Sequence, residues 1–166
     1  MSIEDRSRKV EILRIGHRPE RDKRITTHVA LVSRAFGSNG ISIDTRDEKL
    51  ESTINSVTER FGGKFWIRSG VNRKNKMNSW SGTIVHLTMY GAPIDKVKDD
   101  IPRDEDLLVI VGAEKVPADV YDRSHYNVSI ANQPHSEVSA LAIFLDRYHE
   151  GKQFDLSFEG GEVEIH

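Results

Sequence analysis

Leu107, Leu108, Val109, Ile110 and Val111 form an unbroken apolar run with no polar position on either face. Five residues are too few for an ordinary helix and far short of the roughly 18 that cross a membrane. A strand of this kind has to be covered on both sides, as the central strands of parallel sheets are. A parallel sheet needs crossover helices, and the flanking sequence alternates accordingly. Val10–Ile15, Gly40–Ile43 and residues 64–68, 83–89 and 126–130 read as further strands. Residues 27–36 read as a helix, capped by Thr26 or Thr27 and ended by Gly37. After Asp47, residues Leu50, Ile54, Val57 and Phe61 recur at helical spacing until Gly62-Gly63. Residues 93–97 and 117–121 predict short helical segments, and Val138, Leu141, Ala142 and Leu145 form the stripe of a last helix. The pattern predicts an α/β fold, a mainly parallel sheet with helices on both faces. The 166 residues favour a single domain, 1–166, with a tail at 152–166 expected to form a hairpin at Gly160-Gly161.

Cysteine is absent, which excludes disulfides and thiolate metal sites and makes an intracellular, cytoplasmic location the default expectation. No run long enough for a membrane helix occurs, so no membrane partner is expected. Net charge is only −2, yet it is unevenly spread. Residues 6–24 hold eight of the 24 Lys and Arg, residues 60–76 hold six more and no acid, and acids gather at 95–106. A local basic surface can meet a polyanion whatever the whole-chain balance. Phe61, Phe65, Trp66 and Trp80 lie in or near the second basic stretch, suiting either unstacked bases or a core.

Ligands of open α/β sheets bind beyond the carboxyl ends of the strands. Three segments qualify: "YGAP" after Met89, "GAEKVP" after Val111 and "NQPHSE" after Ala131. Gly112 admits a close approach to backbone, and Pro117 and Pro134 stiffen their loops. Ser136 suits the cap of the last helix, with Glu137 in its first turn. Neither a P-loop nor a G-x-G-x-x-G is present, so nucleotide hydrolysis and ordinary dinucleotide binding lack support. His125, His135 and His149 do not follow a familiar metal spacing, and no metal is expected.

The segments "RIGHRPERDKRITTHVALVSRAFG", "VHLTMYG", "IVGAEKVP" and "NQPHSEVSALAIFLDR" together resemble the archaeal tRNA cytidine-56 2′-O-methyltransferases of the SPOUT superfamily. The similarity runs in order from about Val10 to Gly151. It implies a C-terminal trefoil knot, S-adenosylmethionine as cofactor, tRNA as substrate and a homodimer. Carried onto this chain, it assigns the cofactor to Leu87, then to Gly112, Ala113, Glu114, Lys115 and Val116. A third group comprises Ile130, Ala131, Asn132, Gln133, Pro134, His135, Ser136 and Glu137. A base methyltransferase of the same superfamily and a non-catalytic RNA-binding module are the alternatives. Arg18, Arg73 and Lys74 are the expected tRNA contacts.

Ribose methyltransferases of this superfamily usually carry an arginine in the first helix, six residues before its terminal glycine. Here that position is Leu31, so the catalytic arginine must come from elsewhere. Arg24, His28 and Leu31 share one face if the helix starts early, which makes Arg24 the first choice and Arg21 the second.

Overall fold

The structure is a computed structural model of the chain, described for residues 1–112 and 115–166. Strands β1 (Val10–Ile15), β2 (Gly40–Ile43), β3 (Trp66–Ser69), β4 (Thr83–Pro93), β5 (Leu107–Gly112) and β6 (Tyr126–Ser129) form one sheet. All its pairings are parallel, in the order β3-β2-β1-β5-β4-β6. The helices are α1 (Lys23–Ala35), α2 (Glu48–Phe61), α3 (Arg73–Ser79), α4 (Ile94–Val97), α5 (Ala118–Arg123) and α6 (Glu137–His149).

The apolar run of β5 explains the layering. Leu107, Val109 and Val111 point to the face covered by Val29, Ile54, Leu141 and Phe144 of α1, α2 and α6. Leu108 and Ile110 point the other way, to Met77 of α3 and Val120 of α5. Alternation along a strand sends neighbours to opposite faces, so a run without polar residues requires both layers. Helices on both faces are therefore present as the sequence implies.

Four local features differ from the sequence reading. Helix α1 starts at Lys23, before the threonines expected to cap it. Thr26 is buried and bonds to His17 instead. Strand β4 runs past Met89 to Pro93 but is irregular: Val128 of β6 pairs with both Leu87 and Ala92, and the residues between are displaced. Helix α3 has Met77 as its only buried side chain, so no apolar stripe announces it, and Asn72 caps it by accepting from Asn75 N at 3.0 Å. The expected hairpin at Gly160-Gly161 is not formed among the described residues. Gly63 N donates to Glu159 O at 2.8 Å, and Val163 N donates to Arg60 O at 2.8 Å. The tail thus spends its backbone groups on the end of α2 rather than on itself. Arg34 reinforces this docking, with Nη2 donating to Gly62 O at 2.7 Å and its guanidinium 4.7 Å from the Phe158 ring.

Candidate active site

The strands β1, β4, β5 and β6 all deliver their C-terminal ends to the same side of the sheet, because all are parallel. A cavity of about 450 Å³ opens there, within the roughly 300–1,000 Å³ range of small-molecule sites. Its walls come from three separate segments: Leu87 to Tyr90, then Gly112 with Val116, then Ile130 to Glu137.

Backbone geometry marks two of these walls. A Cβ added at Gly112 would lie 2.5 Å from Val116 Cγ2, so the β5 exit and the following loop touch at a distance only glycine allows. Ala131 holds φ at +117°, a conformation rarely adopted by a residue with a side chain. Strain of this kind persists only where the surroundings enforce it, and it concentrates at binding sites. Asn132 supplies part of that enforcement. Its Nδ2 donates to Met89 O at 2.7 Å and to Gly91 O at 3.1 Å, tying the third wall to the first.

The floor is a closed polar network. His86 is fully buried, and its Nδ1 lies 2.9 Å from Asn127 Oδ1. Asn127 Nδ2 donates to Tyr121 O at 3.0 Å, which turns the amide oxygen toward the imidazole. Nδ1 therefore carries the proton and Nε2 is left bare. Burial holds the His86 pKa below its ordinary value against the opposing Asn127 hydrogen bond, so the ring is neutral. Tyr121 packs edge-on against this ring at 4.8 Å and joins its hydroxyl to Thr88 Oγ1 at 2.9 Å.

One rim is charged. Arg14 at the end of β1 is 1% exposed and places Nε 2.7 Å from Glu137 Oε1, at the first residue of α6. Burial raises the Glu137 pKa, Arg14 opposes the rise and Asp22 adds to it. Asp22, just before α1, is held below the usual carboxylate range chiefly by its hydrogen bonds from Arg18. The charges of Arg14 and Asp22 thus act on Glu137 in opposite directions. The loop between β1 and α1 is fixed from below. His17 bridges Thr26 Oγ1 at 2.7 Å and Asp47 Oδ2 at 2.8 Å, and Gly16 N and His17 N donate to Asp44.

A family model described as tRNA ribose 2′-O-methyltransferase, aTrm56, matches residues 61–166. A tRNA (cytidine(56)-2′-O)-methyltransferase from Methanocorpusculum labreanum is 50% identical over 157 residues, covering 93% of this chain and 85% of that protein. The chain belongs to the aTrm56 family. The Picrophilus torridus relative of the same name is 59% identical over 151 residues, but this chain spans only 44% of its length. Among solved structures, the A. aeolicus TrmH/SpoU tRNA modifying enzyme superposes with a TM-score of 0.64 at 11% identity, covering 93% of this chain and 83% of that one. The SpoU methyltransferase AviRb from Streptomyces viridochromogenes, in complex with AdoMet, gives 0.59 at 15% identity, covering 89% and 59%. At these identities the two structures speak for the fold.

Of the residues that the aTrm56 resemblance assigns to a cofactor, the cavity gathers Leu87, Gly112, Val116, Ile130, Ala131, Gln133, Pro134, His135 and Glu137. Lys115, Asn132 and Ser136 do not line it. Asn132 is the tie described above, and Ser136 Oγ caps α6 by accepting from Val138 N at 3.2 Å. Ala113 and Glu114 lie outside the described residues. Arg24 and Arg21 are exposed at the start of α1 and in the loop before it. Arg18 pairs with Asp22 at 3.0 Å, and Arg73 pairs with Asp119 at 2.6 Å, while Lys74 is exposed. The aromatics of the second basic stretch are occupied internally. Phe65 is buried in the core, and Lys76 lies 5.6 Å and 5.4 Å from the Trp66 and Trp80 rings. Sequence reasoning missed Arg14 and His86, because each stands inside a strand where its neighbours read as core. A charged residue in the otherwise apolar "VEILRI" was the available signal for Arg14. Among the described residues no group of His, Asp and Glu suited to a metal occurs, and no helix is long and apolar enough to cross a membrane.

Proposed function

We propose that this chain transfers a methyl group from S-adenosylmethionine to the ribose 2′-oxygen of cytidine 56 in tRNA. The observation that carries this is the convergence of three strand-end segments on one cavity in a chain of the aTrm56 family. The cavity fits the cofactor. Its walls offer backbone close to Gly112 and the strained Ala131, with apolar Leu87, Val116 and Ile130 between. Such a lining holds an adenosine by packing and by main-chain hydrogen bonds without a charged side chain. Bound S-adenosylmethionine supplies an electrophilic methyl on a sulfonium. Glu137 would give the lining an acidic group suited to a cationic ligand, and Arg14 restrains its carboxylate.

A ribose hydroxyl is weakly acidic, so the protein's task is to orient it and stabilise the oxygen as its proton leaves. Arg24, with Arg21 as the alternative, is assigned that role. Its support is its exposed place in the first turn of α1, with Asp22 just before that helix acting electrostatically on Glu137 of the cavity wall. A guanidinium stays protonated and acts here by hydrogen bonding and charge rather than as a base. Arg18, Arg73 and Lys74 are assigned to tRNA phosphates. Arg18 and Arg73 would exchange or share their present carboxylate partners in doing so.

We further assign one domain over residues 1–166, a C-terminal trefoil knot, a homodimer and a cytoplasmic setting. The knot draws support from the order β5-β4-β6 and the displaced residues between Leu87 and Ala92. The dimer draws support from Ile143 of α6 and Phe154, which are 41% and 64% exposed. The deciding experiment incubates the protein with tRNA and methyl-labelled S-adenosylmethionine, then digests the tRNA to nucleosides. Label in 2′-O-methylcytidine from position 56 is expected. Label on a base would replace the assignment with base methylation, and calorimetry showing no heat with S-adenosylmethionine would remove the cofactor.

A further inference from the structure

A second cavity, of about 680 Å³, lies at the other end of the sheet. It is built where β1 and β5 begin and α6 ends. Arg6 and Arg8 come from the segment entering β1, Arg103 from the segment entering β5, and Tyr148 and His149 from the last turn of α6. Helix α6 has 13 residues, and at 1.5 Å per residue its two ends lie about 20 Å apart. Its first residue lines the candidate active site, so the two cavities are well separated.

Three guanidiniums converge here on neutral partners. Arg8 Nε donates to the Tyr148 hydroxyl at 3.0 Å, and its guanidinium lies 5.4 Å from that ring. Arg103 stands 4.7 Å from the same ring and donates to Tyr148 O at 3.2 Å and Ile101 O at 2.7 Å. Arg6 donates to Gly37 O and Asn39 Oδ1. Among the described residues no carboxylate comes within ion-pair distance of Arg6, Arg8 or Arg103. Asp5, Glu150 and Asp155 also line the cavity, but Asp5 accepts from Ser2 N at 3.0 Å and Glu150 faces Lys152 Nζ at 3.9 Å. Three buried polar atoms lack a protein hydrogen-bond partner here: Arg6 Nε, His149 Nε2 and Gln153 Oε1.

The positive field is felt by the groups inside it. Burial and then Arg8 push Arg6 down to about 10. Burial and then Arg6, Arg8 and Arg103 push His149 down to about 3. Half-buried cations that are left without a counter-charge are costly, and an anion in the cavity would relieve that cost. Guanidinium forks match the tetrahedral oxygens of phosphate, and three of them from different elements can surround it.

We propose that this cavity is a second binding site, distinct from the strand-end site, and that it takes a phosphate group. The group belongs either to a nucleic-acid backbone or to a small phosphorylated solute. Only the first source depends on the tRNA reading above.

The test follows the His149 ring by NMR in the full chain at neutral pH and constant ionic strength. Inorganic phosphate should move its resonance saturably. Arg8→Gln, and separately Lys152→Glu, should raise the phosphate dissociation constant at least tenfold. Both variants should keep wild-type S-adenosylmethionine affinity, which reports on an intact fold at the far end of α6. Lys152 is 81% exposed, so its reversal changes charge without disturbing packing. Movement of the same resonance by tRNA, in competition with phosphate, supports the site and assigns it to the RNA backbone. Movement by phosphate that tRNA does not compete for supports it as a small-solute site. A His149 resonance indifferent to both, or equal phosphate affinity in wild type and both variants, overturns the proposal.

Discussion

His149 makes the stability of this fold sensitive to mild acid, by an amount the structure sets. Its side chain is 5% exposed, faces three arginines, and is pushed down to about 3 from the ordinary histidine value near 6.5. The unfolded chain binds a proton at His149 below about pH 6.5, whereas the folded chain does not until about pH 3. Stability is therefore intact above the unfolded value and falls as pH drops between the two. From pH 7.5 to 5.0 the loss from this one group is about 2 kcal/mol, because each pKa unit traversed is worth about 1.4 kcal/mol. With a urea slope of about 2 kcal/mol per molar, the midpoint should fall by about 1 M over that range. Other carboxylates and histidines also titrate, so the measurement is a difference between wild type and His149→Gln. The variant, with no imidazole at this position, should lose about 2 kcal/mol less over the same interval, whatever its stability at pH 7.5. Identical pH dependence in the two proteins would show that His149 is protonated or hydrated in the native state. The positive field ascribed to Arg6, Arg8 and Arg103 would then be wrong.

Gly112→Val should weaken S-adenosylmethionine binding at least tenfold by calorimetry, because a Cβ there meets Val116 Cγ2 at 2.5 Å and drives that wall inward. Combining Gly112→Ala with Val116→Ala should restore much of the affinity that Gly112→Ala alone loses; an unchanged single variant would move the pocket elsewhere. Arg24→Ala should cut the single-turnover methylation rate at saturating tRNA by about 100-fold or more, with tRNA and cofactor affinities nearly unchanged. A near-normal saturated rate with weakened tRNA binding would make Arg24 a phosphate contact and pass the role to Arg21. Affinity for tRNA should fall steeply with salt despite the net charge of −2, and Lys74→Glu should flatten the slope while sparing cofactor binding. A flat salt titration in wild type would refute the electrostatic account.

Much of the layering was legible in sequence because it follows from burial alone. A strand with no polar face, as at Leu107–Gly112, can exist only between two helical layers, and both are there. The strand-end rule pointed to the segments after Met89, Val111 and Ala131, and Tyr90, Gly112 and Gln133 from those segments line the cavity, whereas Leu87 and Ile130 were assigned by resemblance alone. The failures share a physical cause. Sequence pattern reports which residues avoid water, but it is silent on where a backbone hydrogen-bonding group finds its partner. The tail carries the Gly-Gly of a hairpin, yet its amides and carbonyls go to Gly63 and Arg60. Asn132 is assigned to the cofactor by resemblance, and no sequence pattern announces that its side chain holds the carbonyls of Met89 and Gly91. Thr26 has the chemistry of a cap and instead holds His17.

The same distinction bears on the basic stretches. Charge counting put Arg6 to Arg24 in one class, whereas the fold divides them between two ends of the sheet. Arg6 and Arg8 precede β1 and enter the cavity with Tyr148 and His149, while Arg18, Arg21 and Arg24 follow β1, and Arg18 pairs with Asp22. Six residues of strand, at about 3.3 Å each, separate the two groups by about 20 Å. That is also the length of α6, which closes the sheet between the same two ends. A tRNA held at both ends at once would be gripped over a span that neither basic cluster could cover alone. In that case Lys152→Glu and Lys74→Glu, one at each end, should reduce tRNA affinity more in combination than either does singly, while each leaves S-adenosylmethionine binding as it was.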